Sequence, residues 1–200
     1  MQLVKNELRD LIRYGNLKLP KTTAIFNMCP GTDCPSELLG LCTIGCKCYA
    51  QRAERFRPNV LPFRKRQKRY WKKTSAERFV KDFKLATSRK RTRIRNLRLN
   101  EAGDFDAQED VDKAEKIAKD LAAVRIQVYC YTARSDLDYT KCEHLTVNTS
   151  GFIKQTAVGT TNIFFAVTEY SDMHPRCPGD CRKCNICAKK HGKTTEIKFH

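Results

Sequence analysis

The stretch AQEDVDKAEKIAKDLAAVRIQVYCYT, Ala107 to Thr132, decides the fold. Its first part, through Leu121, places Val111, Ala114, Ile117, Ala118 and Leu121 on one face at helical spacing. Its second part, Arg125 to Thr132, alternates β-branched and aromatic residues with polar ones and reads as a strand. A helix leading directly into a strand is the repeating unit of α/β proteins. Upstream, Thr92 to Asn100 alternates Ile94, Leu97 and Leu99 among bases and reads as another strand. Before it, Arg64 to Leu85 carries Tyr70, Trp71, Phe79, Val80 and Phe83 at helical spacing, with Ser75 a break or cap. Tyr49 to Phe56 can start a helix, and Pro58 and Pro62 interrupt it. Thr22 to Met28 is a β-branched and apolar run short enough for a buried strand. The first twenty residues read as a short amphipathic helix and a turn at Tyr14-Gly15-Asn16. Downstream, His144 to Asn148 and Asn162 to Thr168 are two further strands. Together these elements predict an α/β protein with a parallel sheet over residues 1–172. After Met173 the composition turns to Cys, Pro, Gly and Lys, which predicts a small Cys-rich extension over 173–200.

A chain of 200 residues can bury a real core and needs no disulfide framework to replace one. Met1 to Arg13 lacks the apolar stretch of a signal peptide, and no run approaches the roughly 18–20 apolar residues of a membrane span. These features predict a cytoplasmic protein with no membrane partner, in which thiols stay reduced and clustered cysteines hold metal. The net charge is +17, and nearly all of it lies in one segment: Gln51 to Arg98 holds 19 Lys/Arg against 3 Asp/Glu. A solvated basic surface would explain it, but such concentration favours a polyanion, DNA or RNA, or a nucleic-acid machine. The expected contacts are Arg64, Lys65, Arg66, Lys68, Arg69, Lys72, Lys73, Arg89, Lys90 and Arg91. Tyr70 and Trp71, interleaved with these bases, either stack nucleobases or pack inward.

Nine of the eleven cysteines fall in two groups. Cys177, Cys181, Cys184 and Cys187 are spaced C-x3-C-x2-C-x2-C, so turns between them let the four sulfurs converge. That spacing favours an iron–sulfur cluster, of [4Fe–4S] type, over zinc, whose C-x2-C knuckles are usually separated by a loop. Either metal could simply pin the chain. Cys29, Cys34, Cys42, Cys46 and Cys48 form a less regular group in the loop after the Thr22–Met28 strand. Loops at the carboxyl ends of parallel strands form the active face of such folds. Three thiolates would leave one iron of a cubane open, and four would close it. Cys130, between two tyrosines on a strand, reads as core packing. Cys142 reads as a free loop thiol. His144, His174, His191 and His200 show no catalytic spacing, and only His174 lies near enough to a cysteine group to substitute as a ligand.

Cys29-Pro30-Gly31, Cys46-Lys47-Cys48-Tyr49-Ala50, Arg98-Leu-Asn-Glu-Ala-Gly-Asp-Phe105 and the terminal cysteines, in that order, resemble the bacteriophage gene product 88 family. The arrangement also resembles radical S-adenosylmethionine (SAM) proteins, although Cys42, Cys46 and Cys48 are spaced C-x3-C-x-C rather than C-x3-C-x2-C. The resemblance implies an incomplete (βα) barrel with an iron–sulfur cluster at its mouth. It also implies that Glu101, Gly103 and Asp104 match an acidic Gly motif that holds the SAM amino group. The competing reading makes them a strand end and helix start, with Asp104 or Asp106 as N-cap. Three functions follow: an iron–sulfur protein of phage type engaging nucleic acid, a radical SAM-type enzyme, or a zinc-stabilised regulatory protein.

Overall fold

A computed structural model describes residues 6–88 and 90–198. The helix expected at the start lies partly outside these residues; the described part, Glu7–Asp10, is a single 3-10 turn. Seven strands follow in chain order: β1 (Arg13–Tyr14), β2 (Thr23–Phe26), β3 (Asn96–Leu99), β4 (Gln127–Thr132), β5 (Leu145–Thr149), β6 (Ile163–Val167) and β7 (Thr194–Lys198). The helices are α1 (Pro35–Leu38), α2 (Tyr49–Phe56), α3 (Val60–Lys73), α4 (Ala76–Ser88) and α5 (Gln108–Ala122).

One sheet has the order β1-β2-β3-β4-β5, with β1 antiparallel and the rest parallel. β6 and β7 form a parallel pair that meets β5 through a bridge between Asn148 and Asn162. The parallel strands run in sequence order, as expected for βα units, but the sheet remains open and no barrel closes among the described residues. The chain places no helix between β4 and β5 or between β5 and β6.

Strand alternation gives the sheet two different faces. Ala24 and Phe26, Leu97 and Leu99, Val128 and Cys130, and Leu145 and Val147 point to the side covered by α3, α4 and α5. There they join Tyr70, Trp71, Phe79, Phe83, Ile117 and Leu121 in one core. Phe79 lies edge-on to both Phe26 and Trp71, with centroids 5.1 and 5.8 Å apart. Tyr70 and Trp71 are therefore core residues and offer no platform for nucleobases. Trp71 Nε1 donates to Asp110 at 2.7 Å, so even its polar edge is satisfied inside.

Local signals account for the helix boundaries. Arg57 before Pro58 ends α2. Pro62 sits inside the first turn of α3, where an absent N–H costs no helical bond, so it does not interrupt that helix as expected. The Ser75 hydroxyl accepts from Arg78 N and caps α4. At the far end of α5, Arg125 N donates to Ala122 O and Ile126 N to Leu121 O, a Schellman closure. Arg125 takes the left-handed position of that closure with φ of 60°. Glycine is the usual residue there, and a side chain costs about 1–2 kcal/mol.

The Phe79 side chain is fully buried at the meeting point of three elements. Phe79→Ala is expected to lower unfolding free energy by about 3–5 kcal/mol in urea titrations, by lost transfer energy and a residual cavity.

Candidate metal centre

The loops at the carboxyl ends of β2, β3 and β4 are tied together by one buried carboxylate. Asp104 accepts from Ser36 Oγ at 2.5 Å, Ala133 N at 2.8 Å and Phe105 N at 2.9 Å. Burial raises its pKa, and these donors oppose the rise. Beside it, Cys29 Sγ accepts from Asp104 N at 3.3 Å and lies 3.4 Å from Asp104 O. Gly103 makes the approach feasible: its φ is +72°, and a Cβ there would lie 2.3 Å from Cys29 Sγ. Glu101 accepts from Asn16 Nδ2 at 2.5 Å, and its carbonyl accepts from the Tyr49 hydroxyl. Neither expected N-cap forms: Ala107 precedes α5, and Asp104 instead binds three loops together. Glu101, Gly103 and Asp104 are thus spent on holding the loop, and Asp104 presents no free carboxylate to a SAM amino group.

A second buried group clamps the Cys29 turn from below. Glu54 accepts from Gly31 N at 2.7 Å, Thr32 N at 3.0 Å and Arg64 Nη1 at 2.7 Å. Burial works against the ionised Glu54, but Arg64 and the two amides outweigh it and hold the carboxyl below its ordinary value. Arg64, expected on a nucleic-acid surface, is buried in this ion pair and also donates to Ala50 O. Arg64 and Glu54 stand ten positions apart on different helices, and no local sequence pattern marks such a pair.

Four of the five N-terminal cysteines lie within charge range of one another or of Asp104: Cys29 with Cys34, and Cys42 with Cys48. Cys29 and Cys34 point inward near Asp104, and burial pushes the Cys29 thiol up to about 12. Cys42 pairs by backbone with Ile153 and lies within charge range of Cys48. Cys46 is exposed on a 3-10 turn, Gly45–Lys47. Among the described residues, no group of three or more His, Cys, Asp or Glu side chains is closed around a single metal ion.

The C-terminal cysteines have a different setting. The sheet face away from the helices carries Asn96 and Arg98, Tyr129 and Tyr131, and Thr146 and Asn148, a polar surface on buried strands. The segment 181–188 lies on this face. The Tyr131 hydroxyl meets Cys187 Sγ at 2.6 Å, Asn148 Nδ2 donates to Cys187 O at 2.9 Å, and Thr146 Oγ1 donates to Ala188 O at 3.3 Å. Cys181, Cys184 and Cys187 line one small cavity, about 30 Å³, with Arg98, Tyr129 and Tyr131. The Arg98 guanidinium stands 5.2 Å from the Tyr131 ring centroid, and its Nε is buried without a hydrogen-bond partner among the described residues. Burial pushes the Cys187 thiol up to about 11; the Tyr131 hydrogen bond and the Arg98 charge pull it down, and Cys181 and Cys177 push it up. Cys181 lies within charge range of Cys184 and Cys177, Cys187 within range of Cys181 and Cys177, and both within range of Arg98. His174 is turned aside, edge-on to Phe165 at 5.7 Å. β7, which the sequence reading did not anticipate, returns the chain to β6, so the segment after Met173 is joined to the sheet at both Cys187 and β7.

As a donor set, the C-terminal group fits an anionic thiolate centre. Four thiolates around two or more positive charges carry net negative charge, and the Arg98 guanidinium, which Glu101 also faces, would supply counter-charge. Among the described residues these sulfurs are not closed around a metal ion, so zinc or a cluster would have to draw them together.

The bases of α3 divide in two. Lys68, Lys72 and Lys73 are turned to Asp33 (3.4 Å), Asp106 (2.8 Å) and Glu7 (2.7 Å). Lys65, Arg66, Arg69, Lys90 and Arg91 are exposed; Arg89 lies outside the described residues. Among the described residues, no helix is long and apolar enough to cross a membrane.

Two outcomes test this geometry. Arg64→Leu leaves Glu54 buried and unpaired and is expected to cost about 3 kcal/mol at pH 7. Because the folded pKa of Glu54 is depressed, its ion-pair stability is present above the unfolded pKa and lost as pH falls through the folded value; the difference between variant and parent should therefore shrink in acid melts. In metal-free native protein at pH 8, iodoacetamide should modify Cys46 first and leave Cys29 and Cys130 unmodified until urea unfolds the chain, read by peptide mass mapping.

No curated protein and no solved structure matches the chain. The model of a family described as gene product 88 matches residues 3–152, from the first turn through β5 and the loop that bridges Cys42, and stops short of the terminal cysteines. A match over that share of the sequence places the chain in the gene product 88 family.

Proposed function

We propose that this protein is an iron–sulfur protein that engages nucleic acid through a basic surface, with its centre held by Cys177, Cys181, Cys184 and Cys187. One observation carries the reading: the cysteine loop sits against Arg98, whose Nε is buried without a hydrogen-bond partner among the described residues, with the Tyr131 hydroxyl on Cys187. Natural interiors rarely leave a charged donor unsatisfied, and an anionic centre would satisfy this one. The sequential order of the parallel strands is compatible with a partial barrel, and the loop lies on the sheet face away from the helices, which would be the inner face of such a barrel. When bound, a four-thiolate cluster supplies electron transfer or rigidity. The residues of this chain do the rest: Arg98 balances its charge, Tyr131 donates to a sulfur and tunes it, and Asn148 fixes the loop backbone at Cys187. The exposed bases Lys65, Arg66 and Arg69 on α3, with Lys90 and Arg91, face solvent and supply phosphate contacts. The protein is a cytoplasmic one in this reading, within the host cell if phage-encoded.

The test is chemical. Protein purified without oxygen is expected to carry iron and acid-labile sulfide in near-equal amounts, with visible charge-transfer absorption, and Cys181→Ser should lose both. Colourless protein containing zinc and no iron would replace this reading with a zinc-stabilised one.

A further inference from the structure

At the opposite end of the sheet from Asp104 lies a groove of about 730 Å³, at the amino-terminal ends of β3, β4 and β5. Arg93, Arg95, Arg125, Lys189 and Lys190 line it, and Glu143 is the single carboxylate in its wall. We infer that this groove binds the phosphodiester backbone of nucleic acid. It is a site separate from the α3 surface, and it does not require iron.

Three observations lead there. The first is charge: five cations around one concave surface focus positive potential, and Arg93 continues along the chain from the exposed Lys90 and Arg91. The second is what the lining lacks. It has no Phe, Tyr or Trp side chain, and its one aromatic ring, His144, is held by Glu115 at 2.9 Å. Asn96 donates to Asn185 at 3.2 Å and Asn185 to Gln127 at 3.2 Å, while Asn96 Oδ1 is buried without a partner among the described residues. A lining dominated by cations favours phosphate oxygens over base edges.

The third observation is strain. Arg125 occupies the left-handed residue of the α5 Schellman closure, the position where glycine is favoured, and its side chain lines the groove. An arginine held where the backbone prefers glycine indicates that the side chain serves something other than the fold. A backbone lying in the groove would meet Arg93 and Arg95 ahead of β3, Arg125 ahead of β4, and Lys189 and Lys190 from the C-terminal segment.

This gives a test in which stability and binding move apart. Full-length protein is titrated into a fluorescein-labelled 20-nucleotide DNA of mixed sequence, single-stranded and as duplex, over a salt series. Arg125→Gly is expected to weaken binding of at least one form about 3- to 10-fold and to flatten the slope of log affinity against log salt by about one, while its melting temperature stays level or rises. Lys189→Glu should weaken binding more strongly. If Arg125→Gly and Lys189→Glu bind with unchanged affinity and slope, the inference is overturned, even if Lys65→Glu and Arg69→Glu abolish binding; that result would leave the α3 surface as the contact. If the groove variants alone lose binding, the inference stands and the α3 surface does not contribute. Absence of DNA binding at low salt overturns it, as does full displacement of the labelled strand by inorganic triphosphate at equal phosphate concentration.

Discussion

An arginine set among tyrosines and thiols, its Nε buried without a hydrogen-bond partner among the described residues, marks the face of this sheet that lies away from the helices. Parallel strands covered on both faces are ordinarily apolar on both. Here the helix-facing positions obey that rule and the opposite positions do not: Asn96, Arg98, Tyr129, Tyr131, Thr146 and Asn148 make a polar floor. Such a floor is stable only if something polar covers it. The cysteine loop does so, supplying the carbonyls of Cys187 and Ala188 and the Cys187 sulfur. Among the described residues, Asn96 Oδ1 and Arg98 Nε on this floor keep no hydrogen-bond partner, and the Arg98 cation beside Cys181, Cys184 and Cys187 is the ground for the anionic centre proposed above.

The carboxyl-terminal edge of the sheet follows a different logic. Its ionisable groups are matched inside the chain: Asp104 to three donors, Glu54 to Arg64 and two amides, Cys29 to the Asp104 backbone across Gly103; Asn100 Nδ2 is buried there without a partner among the described residues. Buried polar groups matched in this way fix loop positions with little tolerance for change. The edge where α/β folds commonly place chemistry is thus tightly knotted, and the loosely filled regions are the inner face and the amino-terminal groove.

Much of the architecture was legible in the sequence. Periodicity in Ala107 to Thr132 located α5 and β4 to within two residues, and Ser75 marked the α3–α4 break because a hydroxyl cap works through local hydrogen bonds. Pairs made by tertiary folding were not legible. Arg64 looked like a nucleic-acid contact, Asp104 looked like a ligand or a cap, and Tyr70 and Trp71 carried two readings until burial chose one. β7 was hidden because Thr194 to Lys198 mixes polar and apolar residues and gains strand character only beside β6. The groove was hidden for another reason: its cations come from three separated segments, so no run of sequence displays them together.

The dependence of the thiolate centre on a single cation can be measured directly by iron content per chain in Arg98→Met, prepared without oxygen and shown folded by circular dichroism. The account predicts a folded protein that has lost most of its iron, because an anionic cluster would then sit in an uncompensated interior. Iron retained at the parental level in Arg98→Met would contradict it.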